Sequence, residues 1–245
     1  PPLDVLTNPG FESPLSDDKE AEDEEEQEAV VGWHVATGAA ESAVLDGDLP
    51  HSGGQALKLT GSGAMTTLVS RVFNPPATGR LSMFVWLRVA DVGRQPDLRL
   101  AIEGTLDDNP YYRHAIVGLE RPDGPIGTQW TQYQFQVNDL PLEGLSDLKV
   151  RFDLKGPGEV WIDDVELRHL SFTRQELIEL SKLVHLADTR LRAGQLADSV
   201  RVLDGYWPQF LVTHVSLTEG RVARAPDAIR SPKAEAPAAT AEKEG

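Results

Sequence analysis

From residue 3 to residue 170 the chain alternates apolar and polar residues in short runs, and each run ends in a cluster of Gly, Pro, Asn or Asp. Alternation with a period of two marks a strand with one face buried, because successive Cβ atoms point to opposite sides of the pleat. The spacing predicts about ten short strands. They fall over residues 3–6, 33–36, 43–45, 55–60, 65–73, 81–89, 98–103, 112–118, 131–137, 148–154 and 159–168. No helix-length periodic stretch interrupts them, so parallel βαβ units are not expected. The fold class read from this pattern is all-β, an antiparallel β-sandwich followed by a small C-terminal helical hairpin and a disordered tail.

The same alternation assigns faces. Leu81, Met83, Val85, Leu87 and Val89 point one way and Ser82, Phe84, Trp86 and Arg88 the other. Leu98, Leu100 and Ile102 oppose Arg99, Ala101 and Glu103, and Leu148, Val150, Phe152 and Leu154 oppose Lys149, Arg151 and Asp153. The apolar sets are expected to meet between two sheets. The polar sets are expected to share one sheet face, with Phe84 covered by another element such as the helical region that follows.

Past residue 170 the period changes. Thr173 and Glu176 have the spacing of a capping box, which predicts a helix start. Leu177, Leu180, Leu183, Val184, Ala187 and Leu191 then form one apolar stripe at helical spacing. Gly194 is expected to end this helix, and a second starts near Gln195 and continues through Leu196, Val200 and Leu203. Gly205-Tyr206-Trp207-Pro208 is expected to break the pattern. Residues 218–245 are rich in Ala, Pro, Glu, Lys and Arg and are expected to be a disordered tail or linker. The domain division is therefore 1–170, 171–217 and 218–245.

Charge removes several function classes. The formal net charge is −16. Nucleic-acid binding needs clustered Lys and Arg to replace phosphate counterions, so a nucleic-acid partner is not expected. Neither is membrane insertion, since no apolar stretch is long enough to span a bilayer. Nine of the residues from 17 to 28 are acidic and Lys19 is the lone base, so this run holds −8. Repulsion at that density predicts a disordered acidic loop over 16–30. It lacks the ordered spacing and Gly of an EF-hand. The absence of cysteine excludes disulfides, zinc-thiolate sites and cysteine nucleophiles together.

Catalytic signatures are also missing. His34, His51, His114, His169, His185 and His214 are scattered without HExxH spacing. There is no Gly-x-Ser-x-Gly elbow, no phosphate-binding loop and no dinucleotide fingerprint. The expectation is a protein that is not an enzyme.

Several local patterns recur in one order: LTNPGFES, then GWHV, PHSGGQALKLTG, GRLSMFVWLRV and GEVWIDDVEL. In this order they resemble the carbohydrate-binding modules of families four, nine and twenty-two, within the galactose-binding-domain-like jelly rolls. The resemblance covers about residues 3–170. The acidic insertion between Phe-Glu and the Trp is a departure from the family, where this connection is shorter. The resemblance implies a jelly roll and a structural calcium ion that ties the first strand to the last. The matching positions are Glu12 and Asp163, with backbone carbonyls near Gly10 and His51-Ser52. Calcium takes several hard oxygen ligands, which suits this set. The alternative role for the two carboxylates is a turn cap at Glu12 and bonds to backbone amides at Asp163.

The resemblance further implies glycan or polysaccharide binding on the concave sheet face or at loops, by a non-catalytic module of a larger secreted, periplasmic or cell-surface protein. Sugar sites pair aromatic faces with planar polar side chains. The candidates are Trp86, Arg88, Arg99, Glu103, Tyr112 and Arg151, with His114 and Asp153 beside them and Trp130 and Tyr111 at a strand end. Trp33 and Trp161 are expected in the core. The charged candidates alternate in sign and equally suit cross-strand ion pairs. A structural or protein-interaction jelly roll without sugar binding is therefore the alternative, and other domains of the same protein are expected partners. The start at Pro1-Pro2-Leu3 reads as a processed piece whose targeting segment lies outside it.

Overall fold

The computed structural model describes residues 2–14, 28–119 and 124–215. Eleven strands come first: β1 (Glu28–Val30), β2 (Trp33–Thr37), β3 (Ala43–Asp46), β4 (Ala56–Ser62), β5 (Thr66–Ser70), β6 (Leu81–Arg88), β7 (Asp97–Leu106), β8 (Asn109–Val117), β9 (Thr131–Val137), β10 (Leu145–Lys155) and β11 (Pro157–Arg168). Three helices follow: α1 (Arg174–Arg192), α2 (Leu196–Leu203) and α3 (Tyr206–His214). The strands form two antiparallel sheets, a six-stranded one in the order β1-β2-β5-β10-β7-β8 and a five-stranded one in the order β3-β4-β11-β6-β9. The architecture is the expected β-sandwich with a small helical end.

The core lies between the sheets and is built from the predicted inward sets. Leu81, Met83, Val85, Leu87, Leu98, Leu100, Ile102, Leu148, Val150, Phe152 and Leu154 are all buried. Fully burying an aliphatic side chain of this size is worth about 1.5–3 kcal/mol. Trp33 sits at one end of the core between Phe11 and Phe152, with ring centroids 5.3 and 5.8 Å away. The Asn-Pro-Gly-Phe segment makes this possible. Asn8 folds the segment on itself, donating from Nδ2 to the Ser13 carbonyl at 3.0 Å and accepting the Ser13 N–H on Oδ1 at 3.0 Å. That turn drops Phe11 onto Trp33.

Three expectations are corrected. Residues 3–6 are not a strand; instead the Leu3 N–H donates to the Leu167 carbonyl at 2.7 Å, so the first segment lies against the last strand. Glu28–Val30, read as the end of the acidic loop, is an edge strand pairing with β2. Arg71 draws Glu28 in, donating from Nε at 2.6 Å. The fifth strand stops at Ser70, and Phe73 makes an isolated bridge to Leu148. Residues 16–27 of the acidic loop and the tail from 218 lie outside the described residues.

The chain divides into two compact units, Pro1–Leu177 and Ile178–Gly245. In the first, the capping box forms as expected. Thr173 N–H donates to Glu176 at 2.7 Å, and Glu176 N–H donates to Thr173 Oγ1 at 3.2 Å. Arg80 Nη2 donates to both Glu176 oxygens, at 2.8 and 2.9 Å, so the first turn of α1 is tied to the sandwich. In the second unit, Gly194 ends α1 with φ +74°. The Gln195 N–H closes that turn on the Arg190 carbonyl at 2.9 Å. Ser199 Oγ donates to the Ala187 carbonyl at 3.1 Å, joining α2 to α1. Gly205-Tyr206-Trp207-Pro208 does more than break the pattern. It starts α3, with Pro208 in the first turn, where a missing N–H costs no helix bond.

Candidate functional site

The outer face of the six-stranded sheet holds a connected cluster of polar and charged side chains. Its centre is Asp153 on β10, whose carboxylate is fully buried. Register places Asp153 beside Thr67 of β5 and Arg99 of β7. Thr67 Oγ1 donates to Oδ1 at 2.8 Å and Arg151 Nε donates to Oδ1 at 2.7 Å. The Tyr112 hydroxyl donates to Oδ2 at 3.0 Å and Arg99 Nη1 at 3.3 Å. A buried carboxylate is tolerated when its lone pairs are filled in this way. Arg151 also donates from Nη1 to Glu103 at 2.8 Å, so one guanidinium spans two carboxylates. Desolvation would lower the Arg151 pKa, but the bonds to Glu103 and Asp153 raise it overall. Burial raises the Tyr112 pKa.

This network locks side chains that still reach water. Arg99, Arg151 and Glu103 retain 23%, 23% and 24% side-chain exposure. Tyr112 lies beside them, its ring 5.3 Å from that of His114 and 5.7 Å from the Arg151 guanidinium. Arg99 Nε is buried without a hydrogen-bond partner. Four expected site residues, Arg99, Glu103, Tyr112 and Arg151, therefore come together on one face with His114 and Asp153.

Trp86 and Arg88 do not join them. Both are on β6, in the other sheet, and point out from its outer face. Trp86 carries the His51 ring stacked on it at 3.8 Å and 17°. Arg88 lies 5.3 Å from the Trp130 ring and 4.5 Å from the Trp161 ring, and donates to the Asp48 carbonyl at 2.7 Å. Trp161, expected in the core, is on this outer face too. It is nearly buried because Lys58 and Arg88 flank it and its Nε1 donates to Asp46 Oδ2 at 2.8 Å. Phe84 is covered by the guanidinium of Arg168 at 5.1 Å. Tyr111 points into the core, so it adds no exposed aromatic surface. Alternation sorted the two faces of β6, β7 and β10 correctly, but it does not tell which sheet a strand joins, and β6 went to the opposite one.

The second cluster links the first segment, the loop after β3 and the last strand. Glu12 accepts the Gly54 N–H on both oxygens, at 3.1 and 3.0 Å. Asp163, fully buried, accepts the His51 and Ser52 N–H groups on Oδ2 at 2.9 and 3.3 Å. Its neighbour Asp164 holds His51 Nδ1 at 2.6 Å and the Ser52 hydroxyl at 3.0 Å. Gly10 packs against Asp164, whose Oδ1 would lie 3.3 Å from a Cβ there. Burial pushes the Asp163 carboxyl up to about 6. Gly10, Glu12, His51 and Asp163 are the residues named for calcium, with Asp164 added by the structure, and the carboxylates and carbonyls expected of them are all oxygen donors, as calcium requires. Their carboxylates are engaged by backbone N–H groups here. Among the described residues no three His, Asp or Glu side chains are grouped to hold a metal by themselves, so backbone carbonyls would have to complete a site.

No family model and no curated protein matches the chain. Solved structures of similar fold include carbohydrate-binding modules. The CBM22-1 xylan-binding domain from Paenibacillus barcinonensis Xyn10C covers 67% of this chain and 93% of its own length, at 14% identity and a TM-score of 0.46. The module TmCBM61, solved in complex with β-1,4-galactotriose, covers 67% of this chain and 97% of its own, at 14% identity and a TM-score of 0.40. The C-terminal family 22 module of Clostridium thermocellum Xyn10B covers 58% and 87%, at 14% identity and a TM-score of 0.42. The sandwich is similar in fold to carbohydrate-binding modules, and the ligand named for each of them is a property of that protein.

Proposed function

We propose that the sandwich is a non-catalytic carbohydrate-binding module of a larger secreted or cell-surface protein, and that it takes glycan on the outer face of the six-stranded sheet. The support is the Asp153 network. It holds Arg99, Arg151 and Glu103 rigid and about a quarter exposed, beside the rings of Tyr112 and His114. Fixed planar donors and acceptors next to an aromatic face match the two demands of a sugar, which presents hydroxyls at its rim and an apolar C–H face. Because the side chains are already ordered, binding costs less rotamer entropy. In this reading Trp86 and Arg88 are structural. A glycan array with the wild-type chain and Arg151→Ala tests it. Binding of at least one glycan class that Arg151→Ala loses is expected, and an array without binders overturns it.

The second reading is a protein-interaction module without sugar binding. Closure of Arg151 between Glu103 and Asp153 favours it, since those groups are already paired. An empty array together with a captured domain of the same polypeptide would support this alternative.

Calcium is proposed as a structural ion at Glu12 and Asp163, completed by carbonyls near Gly10 and His51. The buried Asp163 carboxylate beside Asp164 is the motive, since a cation there would offset the charge that burial disfavours. The ion would fasten the first segment to the last strand and has no catalytic part. A thermal melt with calcium against one with chelator tests this, and identical midpoints would remove it.

A further inference from the structure

The two arginines of the Asp153 network differ in how far their donors are used. Arg151 is closed: Nε donates to Asp153 at 2.7 Å and Nη1 to Glu103 at 2.8 Å. Arg99 is open. Its Nη1 reaches Asp153 at 3.3 Å and the Tyr112 hydroxyl at 3.4 Å, both longer than the roughly 2.7–3.2 Å of a well-formed bond. Its Nε is buried with no partner, and its Nη2 donates to nothing among the described residues. A guanidinium carries its N–H donors in one rigid fork, so most of the Arg99 fork faces no acceptor. Leaving such donors unmade is costly, and an anion fills them with the strongest bonds.

We propose that the glycan taken on this face is acidic, with the carboxylate of a uronic acid residue on Arg99 and the sugar ring on Tyr112. This rests on the glycan reading of the same face and adds the charge of the ligand. Two observations select a uronate. The first is shape. A carboxylate matches the guanidinium fork in plane and in charge. The contact from Arg99 to the Tyr112 hydroxyl holds the fork at the edge of that ring, so a sugar seated on Tyr112 sets a ring substituent beside it. The second is local charge. The whole chain stands at −16, but at physiological salt screening confines a charge to about 8 Å. Within the network Arg99 and Arg151 balance Glu103 and Asp153, and Lys149, opposite Glu103 in the register, tips the face positive.

The test uses the whole chain. An array of uronate, sulfated and neutral glycans should show binding to uronates. Calorimetry with the bound oligosaccharide should show a loss of about tenfold or more when its carboxylates are methyl-esterified, and a comparable loss for Arg99→Gln. The ester needs no variant, so a folding defect in Arg99→Gln does not account for both losses. An empty array overturns this inference and the glycan reading together. Binders confined to neutral or sulfated glycans, or an ester bound as tightly as the acid, overturn the uronate alone and leave the glycan reading standing. Polyglutamate bound as tightly as the uronate would make the partner an acidic peptide and overturn it too.

Discussion

The Tyr112 hydroxyl reaches from β8 across the whole of β7 to donate to Asp153 on β10 at 3.0 Å. Four strands, β5, β10, β7 and β8, are joined through this one carboxylate, so stability and any ligand affinity share a support. Asp153→Ala should cost about 3 kcal/mol, because it strips two guanidinium groups of a buried partner. Urea unfolding of the variant checks this, and a loss below about 1 kcal/mol would show that water fills the gap.

Tyr112 separates ring from hydroxyl. If glycan rests on the ring, Tyr112→Phe should keep affinity within about threefold, while Tyr112→Ala should lose about tenfold or more. Calorimetry with the best array ligand decides it, and equal losses would move the contact to the hydroxyl.

Asp163 gives a pH signature. Its folded value of about 6 stands above the ordinary 3.8 because of burial. Without calcium, the fold prefers the protonated form. Its contribution is fully present below the unfolded value and is lost as pH rises through about 6. The difference is about 3 kcal/mol, at roughly 1.4 kcal/mol per unit. In chelator, the melting midpoint should drop as pH rises from about 4 to about 6.5, the window between the unfolded and folded values, and Asp163→Asn should flatten that slope. Calcium should oppose it by favouring the charged form. A slope unchanged in Asp163→Asn would show that another group is responsible.

Gly53 lies under Glu12 with φ +60°, and a Cβ there would sit 1.9 Å from Oε1. Gly53→Ala should therefore displace Glu12 from the Gly54 N–H and destabilise by about 1–3 kcal/mol. A thermal melt reads this directly. An unchanged midpoint would mean that Glu12 swings away without cost.

Much of the fold was legible because alternation and turn chemistry are local. The inward residues of β6, β7 and β10 were read correctly from a period of two, and the Thr173–Glu176 box from a spacing of three. What was not legible was non-local. Trp86 and Tyr112 look alike in their strands, each an outward aromatic beside an Arg, but pairing sent β6 to one sheet and β8 to the other. Trp161 illustrates the same limit: an outward Trp reads as exposed or as core, and its burial here comes from Lys58 and Arg88, distant in the chain. Asp164 was not singled out, although it follows Asp163 directly, because its φ of +45° at a bulge turns it to the His51 loop. The Asp-Asp pair itself was the one signal available.

The bond from Leu3 to Leu167 means that the polypeptide enters and leaves the sandwich at the same place. Tension applied at the two ends of the sandwich would bear on that junction, peeling the first segment from β11 before it strained either sheet. The candidate face, carried on β10, β7 and β8, would be unloaded until the junction opened.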